Sequence, residues 1–435
     1  MRVLLISLAP VHRGFGSGNT LLNLAEMLED AELASLCARS GETDPAVTRA
    51  FCVTEGMLAR NLFLGTSVGR VEEPGKYGRP PEESSAGRRL QRFAHRHRWT
   101  VLFWARDLLW RIGRWRSPEL KRFLKDFQPD LILTFLSGTP HLNRLILHAA
   151  QETGAGLAVC AWDNNYTYRQ LTLSPLRWIK QFSDRFSMRR LAARADVLYA
   201  ICDDLKSAYE KAFGREFRLL TKGGDFSGEP PIKDSDGRPL QLVYAGNLQN
   251  RRWRSLAAVA SVLERINAEE FRIQLRIYTG SSMSRRVRSL LDRGESSVVM
   301  GKAKPSDIPR ILAEADVLVH AEATDLKNRL AVRHSFSTKL VDYMAAARPI
   351  LAYGGKDTAS VRYLVERECG VAADSPEELY GRLMELIHDE AARRELGEKA
   401  YACGRRYHNR EDIREQLKKD VQALMSHRRT PHDSA

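Results

Sequence analysis

Apolar runs of strand length alternate, through most of the chain, with segments whose apolar residues recur at helical spacing. The strand-like runs lie at 3–8, 129–135, 156–161, 195–201, 240–244, 272–280, 298–301, 316–320 and 350–353. Helical patterns lie at 19–28, 140–148, 175–195, 308–315, 340–345, 358–368 and 376–387, with another ending at 266. Because continuously apolar strands followed by helices are typical of sheets covered on both faces, the pattern predicts parallel, doubly wound α/β domains.

The periodic pattern stops between Glu229 and Pro239, where proline, glycine and charged residues dominate. Such a composition is typical of a linker. We therefore expect two facing Rossmann-like domains, at 1–228 and 240–405, with the linker at 229–239 and a charged helical tail at 406–435. A basic, aromatic insertion is expected inside the first domain at about 75–127.

The segment from Arg333 to Gly355 reads as a loop, a short helix and a buried strand, and it carries the strongest candidate chemistry. Ser335 and Ser337 are good N-cap residues, and Ser337 and Thr338 would lie at the helix start, where unpaired N–H groups and the helix dipole favour a phosphate. Asp342, about one turn later, could accept hydrogen bonds from sugar hydroxyls. A nucleotide pocket follows from this arrangement, and an ordinary amphipathic helix with a surface Lys339–Asp342 pair is the alternative.

The sequence of residues 337–351, Ser-Thr-Lys-Leu-Val-Asp-Tyr-Met-Ala-Ala-Ala-Arg-Pro-Ile-Leu, resembles the nucleotide-sugar signature of the group 1 (family 4-like) glycosyltransferases, which have the GT-B fold. That signature usually contains two glutamates separated by seven residues. Asp342 occupies the second position, which the resemblance assigns to the donor ribose. His334 occupies the first position, near the donor sugar, and departs from the family pattern.

The turn after the strand at 240–244 resembles the family's diphosphate-binding segment, in which Gly-Arg-Leu is followed by a lysine. Gly246 matches, Asn247 replaces the arginine, Arg252 stands at the lysine position, and Arg251 could cover the loss at 247. Glu322, at a strand end, is a further candidate for a donor contact. The resemblance implies that Arg252, Lys339 and helix-start N–H groups stabilise the leaving diphosphate, without a metal or cofactor. It also implies that the last helix crosses back to the first domain.

Two places in the first domain are candidates for the acceptor side of the cleft. The turn after the first strand contains Gly16, Ser17 and Gly18, whose backbone could approach a phosphate or an acceptor sugar, although a purely structural turn is equally consistent with it. Asp163 follows the strand at 156–161, at the edge where parallel sheets place their ligands. It could orient an acceptor or line the reaction centre, or it could cap a helix. His141 is a weaker candidate for a general base.

The net charge of +14 and the pI near 9.6 indicate an acidic partner. Between residues 88 and 116, arginines alternate with tryptophans, phenylalanines and leucines, a pattern that suits an anionic membrane surface. A helix that buries its tryptophans in the domain core is the main alternative. A nucleic-acid surface is the third interpretation, and it is not expected because no nucleic-acid-binding module is recognisable.

The six cysteines have no C-x-x-C spacing, so we expect packed thiols, with neither disulfides nor zinc. The first residues read as a strand rather than a signal peptide, and no apolar stretch reaches membrane-spanning length, which favours a cytoplasmic protein or one bound at the inner face of the membrane.

We therefore expect a hexosyltransferase-like enzyme that moves a sugar from a nucleotide-sugar donor to a saccharide or lipid-linked acceptor. By the resemblance it would retain the anomeric configuration, and the basic, tryptophan-rich insertion favours a lipid-linked acceptor, as in cell-envelope or capsule polysaccharide synthesis. The alternatives are a UDP-sugar 2-epimerase of the same architecture and a catalytically degenerate binding protein.

Overall fold

The computed structural model describes residues 1–13, 16–75, 100–167, 174–233 and 239–429, and it contains two sheets with helices on both faces. The first sheet has eight strands in the order β4-β3-β2-β1-β5-β6-β7-β8, and all neighbours are parallel except β3 and β4. The second has six strands, with parallel neighbours, in the order β11-β10-β9-β12-β13-β14. Both contain the doubly wound order in which the connections reverse direction next to the first strand, so each sheet has a crevice at its carboxyl edge.

The first domain contains the strands β1 (Arg2–Ser7), β2 (Glu32–Cys37), β3 (Arg49–Cys52), β4 (Arg70–Glu72), β5 (Leu131–Phe135), β6 (Gly156–Ala161), β7 (Val197–Ala200) and β8 (Arg218–Leu219). Its helices are α1 (Gly16–Glu26), α2 (Glu55–Leu64), α3 (Thr100–Ile112), α4 (Pro118–Phe127), α5 (Pro140–Thr153), α6 (Pro175–Arg194) and α7 (Asp203–Phe213).

The second domain contains the strands β9 (Leu240–Ala245), β10 (Ile273–Tyr278), β11 (Ser297–Gly301), β12 (Val317–Ala321), β13 (Ile350–Tyr353) and β14 (Val371–Ala373). Its helices are α8 (Arg252–Ile266), α9 (Arg285–Leu291), α10 (Ile308–Glu314), α11 (Leu326–Val332), α12 (Lys339–Ala345), α13 (Ala359–Glu366), α14 (Pro376–His388) and α15 (Glu390–His408). These elements confirm the expected pair of Rossmann-like domains.

The last helix, α16 (Arg410–Arg429), packs against the first domain. Leu417 and Val421 are buried in the apolar layer that covers one face of the first sheet. Asp420 accepts a hydrogen bond of 3.0 Å from the hydroxyl of Tyr199 on β7. The chain therefore returns from the second domain to the first through this helix.

The arginine- and tryptophan-rich segment lies partly outside the described residues, because 76–99 are not described. In its described part, Trp110 and Trp115 are buried, and their rings lie against His141 and His148. For these two tryptophans the core-helix interpretation is correct, since rings enclosed in this way are not available to a membrane. Among the described residues, no helix combines the length and apolar character that a bilayer-spanning segment requires.

Candidate functional site

Arg252 lies in the crevice of the second sheet, where the loop after β9 leads into α8. Its Nη2 donates to both carboxylate oxygens of Glu322, at 3.0 and 3.2 Å, and its Nη1 lies 3.3 Å from the side-chain oxygen of Asn247. Glu322 directly follows β12, the strand beside β9, so the sheet order brings the two residues together. These contacts fix the guanidinium in one orientation at the crevice.

Glu322 lies beneath Arg252 and is not exposed to the cleft as the sequence suggested, since its side chain is only 1% accessible. His320 Nε2 lies 3.2 Å from its Oε1, and the backbone oxygen of Glu322 accepts a hydrogen bond from Ser255. Despite the burial, Arg252 and His320 lower the pKa of Glu322 to about 2. Burial lowers the pKa of His320 to about 4. The carboxylate therefore stays charged, and any effect on a bound ligand passes through Arg252.

Lys339, the first residue of α12, provides the second cation. Its Nζ lies 4.0 Å from the ring centroid of Tyr244 on β9, an interaction that stabilises a cation. A Cβ placed on Gly246 would lie 3.1 Å from this Nζ, so the glycine leaves the space that the lysine occupies. Burial and the nearby Arg252 lower the pKa of Lys339 to about 7, while Glu322 opposes this shift. Glu322 neutralises Arg252 alone, so Arg252, Lys339 and Glu322 together keep an excess positive charge that suits an anion.

Asp163, from the first domain, faces this cluster across the cleft. It follows β6, and it interacts electrostatically with Arg252 and by a hydrogen bond with Ser335. Both contacts favour its charged form, but desolvation is larger and raises the pKa of Asp163. The crevice edges of the two sheets thus contribute an acid and two cations to one space.

Asp342 lies on α12 and pairs with Lys222, whose Nζ is 2.5 and 2.6 Å from the two carboxylate oxygens. Lys222 is located after β8, just before the linker, so the pair joins the two domains. The Asp342 side chain remains 44% accessible. Its carboxylate could therefore accept hydrogen bonds from a ligand if Lys222 moved or shared it.

His334 and Ser337 lie in the loop before α12. The backbone oxygen of His334 is 3.7 Å from Cys202 Sγ of the first domain, and its Nδ1 is buried without a hydrogen-bond partner among the described residues. Burial lowers the pKa of His334. The backbone N–H of Ser337 donates to Ser360 Oγ at 2.9 Å, so this amide is already used. The N-cap of α12 is Thr338 rather than one of the predicted serines, Ser335 and Ser337. Its side chain makes no capping hydrogen bond.

The remaining predicted site residues are Arg251 and the glycines and serine of the first turn, Gly16, Ser17 and Gly18. Arg251 is exposed in the left-handed conformation with φ 60°, one residue before α8, and it does not join the contacts of Arg252. Gly16 and Ser17 begin α1, and their side-chain environment lies outside the described residues. A Cβ on Gly18 would lie 2.9 Å from the carbonyl oxygen of Pro10, so close packing against the preceding loop explains this glycine. His141 is buried against Trp110, which leaves it no access to a ligand.

Several residues of the site carry no sequence signal that could have identified them. Lys222 is 120 residues from Asp342 and stands in a turn that reads only as the end of a domain. His320 and Tyr244 lie within apolar strands, where they read as core residues. Their roles depend on which strands are neighbours, and the chain order does not state this.

Comparisons with known proteins identify the family of this chain. A family model described as "Glycosyl transferases group 1" matches residues 239–389, and one described as "Glycosyl transferase 4-like domain" matches residues 15–221. No curated protein sequence matches the chain.

Solved structures similar to the chain cover nearly its whole length. Sucrose-phosphate synthase from Thermosynechococcus elongatus has 14% identity and a TM-score of 0.64 over 98% of this chain and 99% of that one. HepE from Anabaena, in complex with UDP, has 14% identity and a TM-score of 0.62 over 97% and 100%. A trehalose-phosphate synthase from Burkholderia vietnamiensis has 12% identity and a TM-score of 0.60 over 98% and 99%. At these identities the likeness concerns the fold, and it confirms the expected GT-B architecture.

Proposed function

We propose a binding mode and an acceptor class for this chain, which belongs to the group 1 glycosyltransferases and is a nucleotide-sugar-dependent enzyme. The donor's diphosphate lies between Arg252 and Lys339, its ribose hydroxyls reach Asp342, and its sugar extends toward His334. The acceptor enters from the first domain, beside Asp163 and the start of α1, which contains Gly18. The observation that carries this proposal is the placement of two cations at the crevice of the second sheet, opposite an acid of the first.

In the proposed reaction the acceptor hydroxyl oxygen bonds to the anomeric carbon, and the bond from that carbon to the diphosphate oxygen breaks. The negative charge that develops on the diphosphate is stabilised by Arg252 and Lys339, which are held in place before the reaction begins. The hydroxyl proton passes to the leaving diphosphate, and the anomeric configuration is retained, as the resemblance implies. Asp163 orients the acceptor hydroxyl.

The donor experiment starts with UDP-sugars, because similar structures contain UDP or UDP-glucose. Full-length protein is incubated with a panel of nucleotide sugars, with and without a membrane extract that supplies acceptors. Nucleoside diphosphate released only in the presence of acceptor supports transfer. A free isomer of the donor formed without acceptor would support the 2-epimerase, and donor binding with no product would support a degenerate binding protein.

Two variants test the residue assignments. Asp342→Ala is expected to weaken donor binding by about 10-fold or more, since it removes a charged acceptor of ribose hydrogen bonds. Arg252→Lys is expected mainly to reduce turnover, because it keeps the charge but loses the bidentate geometry. Ser227→Ala, a change at an exposed loop residue, is the matched control. Unchanged donor affinity in Asp342→Ala, with an unchanged melting temperature, would refute the pocket.

The proposed acceptor is a lipid-linked saccharide at an anionic membrane surface, in the synthesis of an envelope polysaccharide. Helix α6 supports this class, because an apolar stripe runs along its exposed side at a spacing of four residues. Trp178, Phe182 and Phe186 are 55%, 75% and 58% exposed, and Ile179 beside them is 55% exposed. The same helix carries six basic residues and one acidic residue. Exposed aromatic rings flanked by cations are typical of helices that lie at the lipid headgroup boundary.

Vesicle sedimentation tests the membrane surface separately from catalysis. We expect binding to anionic phospholipid vesicles that exceeds binding to zwitterionic ones and weakens with salt. The double variant Trp178→Ser/Phe182→Ser should bind the vesicles at least about 10-fold more weakly, because it loses two rings that would be buried in the membrane. Met300→Ser, at an exposed methionine of the second domain, is the control. Equal binding by the double variant and the control would refute the proposed membrane-binding surface on α6. It would not affect the assignment of the donor site.

A further inference from the structure

Two cysteines and a glutamate converge at one edge of the first sheet, away from the residues assigned to the donor. Cys37 ends β2 and Cys52 ends β3, and the two are direct partners in the register of this parallel pair, so their side chains share one face. Glu72 ends the antiparallel strand β4, where Cys52 is paired with Arg70 and Ala50 with Glu72. The two sulfurs and a carboxylate oxygen all lie within 4.8 Å of one another.

All three side chains are enclosed: Cys37, Cys52 and Glu72 are 1%, 0% and 7% exposed. One carboxylate oxygen, Oε1, accepts hydrogen bonds from Arg70 at 2.9 and 3.3 Å. The other, Oε2, is buried without a hydrogen-bond partner among the described residues. Leaving a buried carboxylate oxygen unpaired is unfavourable, so the free lone pairs of Oε2 point to a missing ligand.

We propose that Cys37, Cys52 and Glu72 bind a zinc ion, with a water molecule as the fourth ligand. Thiolate and carboxylate are ligands that zinc accepts in a tetrahedral site, and thiolates select thiophilic metals over magnesium or calcium. The metal replaces the two thiol protons, including the one that Cys37 directs to the carbonyl oxygen of Arg39 at 3.1 Å. The expectation of no zinc came from the absence of a C-x-x-C motif, and ligands on neighbouring strands need no such spacing.

Charge balance supports the assignment. Two thiolates, one carboxylate and one divalent zinc carry a net charge of −1, and the guanidinium of Arg70 compensates it. A hydrogen bond from Arg70 to the ligating carboxylate is also the outer-shell contact that holds a metal ligand in position. The bound ion would attach the three-residue strand β4 to the two strands beside it, which gives the site a structural role independent of glycosyl transfer.

Elemental analysis of full-length protein tests the site, with inductively coupled plasma mass spectrometry as the readout. We expect about one zinc per chain after gel filtration, loss of that zinc in Cys52→Ser, and a zinc Kd raised about 10-fold or more in Glu72→Gln. The matched control is Cys160→Ser, which changes a buried thiol on β6 and should keep the metal. If Cys52→Ser does not fold, chelator-treated wild type provides the second measurement: added zinc should raise its melting temperature, and should do so less in Glu72→Gln.

Three results would overturn the proposal. The first is metal-free protein that zinc does not stabilise. The second is equal zinc retention by wild type, Cys52→Ser and Glu72→Gln, which would indicate adventitious binding elsewhere. The third is a Cys37–Cys52 disulfide in protein purified without reductant, detected by peptide mass mapping, because those sulfurs would then be unavailable as thiolates.

Discussion

Donor affinity should depend on the protonation of Lys339, and this dependence tests the diphosphate assignment directly. The pKa of Lys339 is lowered to about 7, so about half of the unliganded protein holds it as a cation at that pH. Only the protonated amine attracts a diphosphate. Raising the pH through this pKa therefore removes the charge and weakens binding.

The expected change in donor affinity follows from how much a bound phosphate stabilises the protonated form of Lys339. One phosphate charge about 4 Å from Nζ contributes roughly 4 kcal/mol at an effective dielectric constant of about 20, or about 3 pKa units. The bound phosphate therefore raises the pKa of Lys339 well above its value in the unliganded protein, so Lys339 stays mostly protonated in the complex up to pH 9. Between pH 7 and 9 the unliganded protein loses its protonated fraction from about one half to about one in a hundred, and Kd should rise about 50-fold.

Isothermal titration calorimetry with a nucleotide sugar measures this dependence, because an esterified diphosphate does not itself titrate in this range. Lys339→Arg is the control, since its guanidinium remains charged and its affinity should be flat over the same pH range. The histidines do not interfere, because the pKa of His334 is lowered and that of His320 is about 4. A flat profile in wild type, or an equal slope in Lys339→Arg, would refute the contact between Lys339 and the diphosphate.

Four further predictions concern residues around the site and the buried His408 at the end of α15. Gly246→Ala should reduce donor affinity, because its Cβ would lie 3.1 Å from Lys339 Nζ and 3.1 Å from the hydroxyl of the buried Tyr244; an affinity equal to wild type would contradict the close approach. Glu322→Gln should reduce the free energy of unfolding by about 3 kcal/mol in a denaturant titration, because it leaves Arg252 without its buried partner. The same variant should move the midpoint of the pH profile downward, because Glu322 raises the pKa of Lys339, and an unmoved midpoint would argue against this coupling. His408 has a pKa of about 4 against 6.5 in the unfolded chain, so stability should fall by up to about 3 kcal/mol as the pH drops between these values. Unfolding measured from pH 7 to 4 should show a shallower fall in His408→Gln, and an equal fall would assign the acid sensitivity to other groups.

Most of the central strands of both sheets were predictable because parallel strands covered on both faces have continuously apolar sequences. Gly156–Ala161 is a strand with the predicted bounds. The region 34–71 was harder because its strands are short: β3 has four residues, and β4 has three and lies antiparallel at the edge. A three-residue strand carries too little pattern to distinguish it from a loop.

The candidate site residues were predicted from two signals, polar residues that follow a strand end and segments that resemble the family's donor-binding signature. Asp163 belongs to the first group and Arg252 to the second, and their side chains interact across the cleft. Glu322 also follows a strand, but pairing with an arginine 70 residues away draws its carboxylate below the surface. The pattern of arginines next to tryptophans did not distinguish a membrane-binding helix from a core helix. Trp110 and Trp115 pack inward, whereas Trp178 on another helix is exposed.

The return of α16 to the first domain has a consequence for synthesis on the ribosome. Leu417 and Val421 complete an apolar layer whose other members include Val3 and Leu5, so β1 is made long before the helix that covers it. The first domain leaves the exit tunnel with that surface open, and the second domain is made in the meantime. A nascent chain halted before α16 would therefore expose an apolar face that chaperones recognise, so synthesis of Arg410–Arg429 is decisive for the yield of native enzyme.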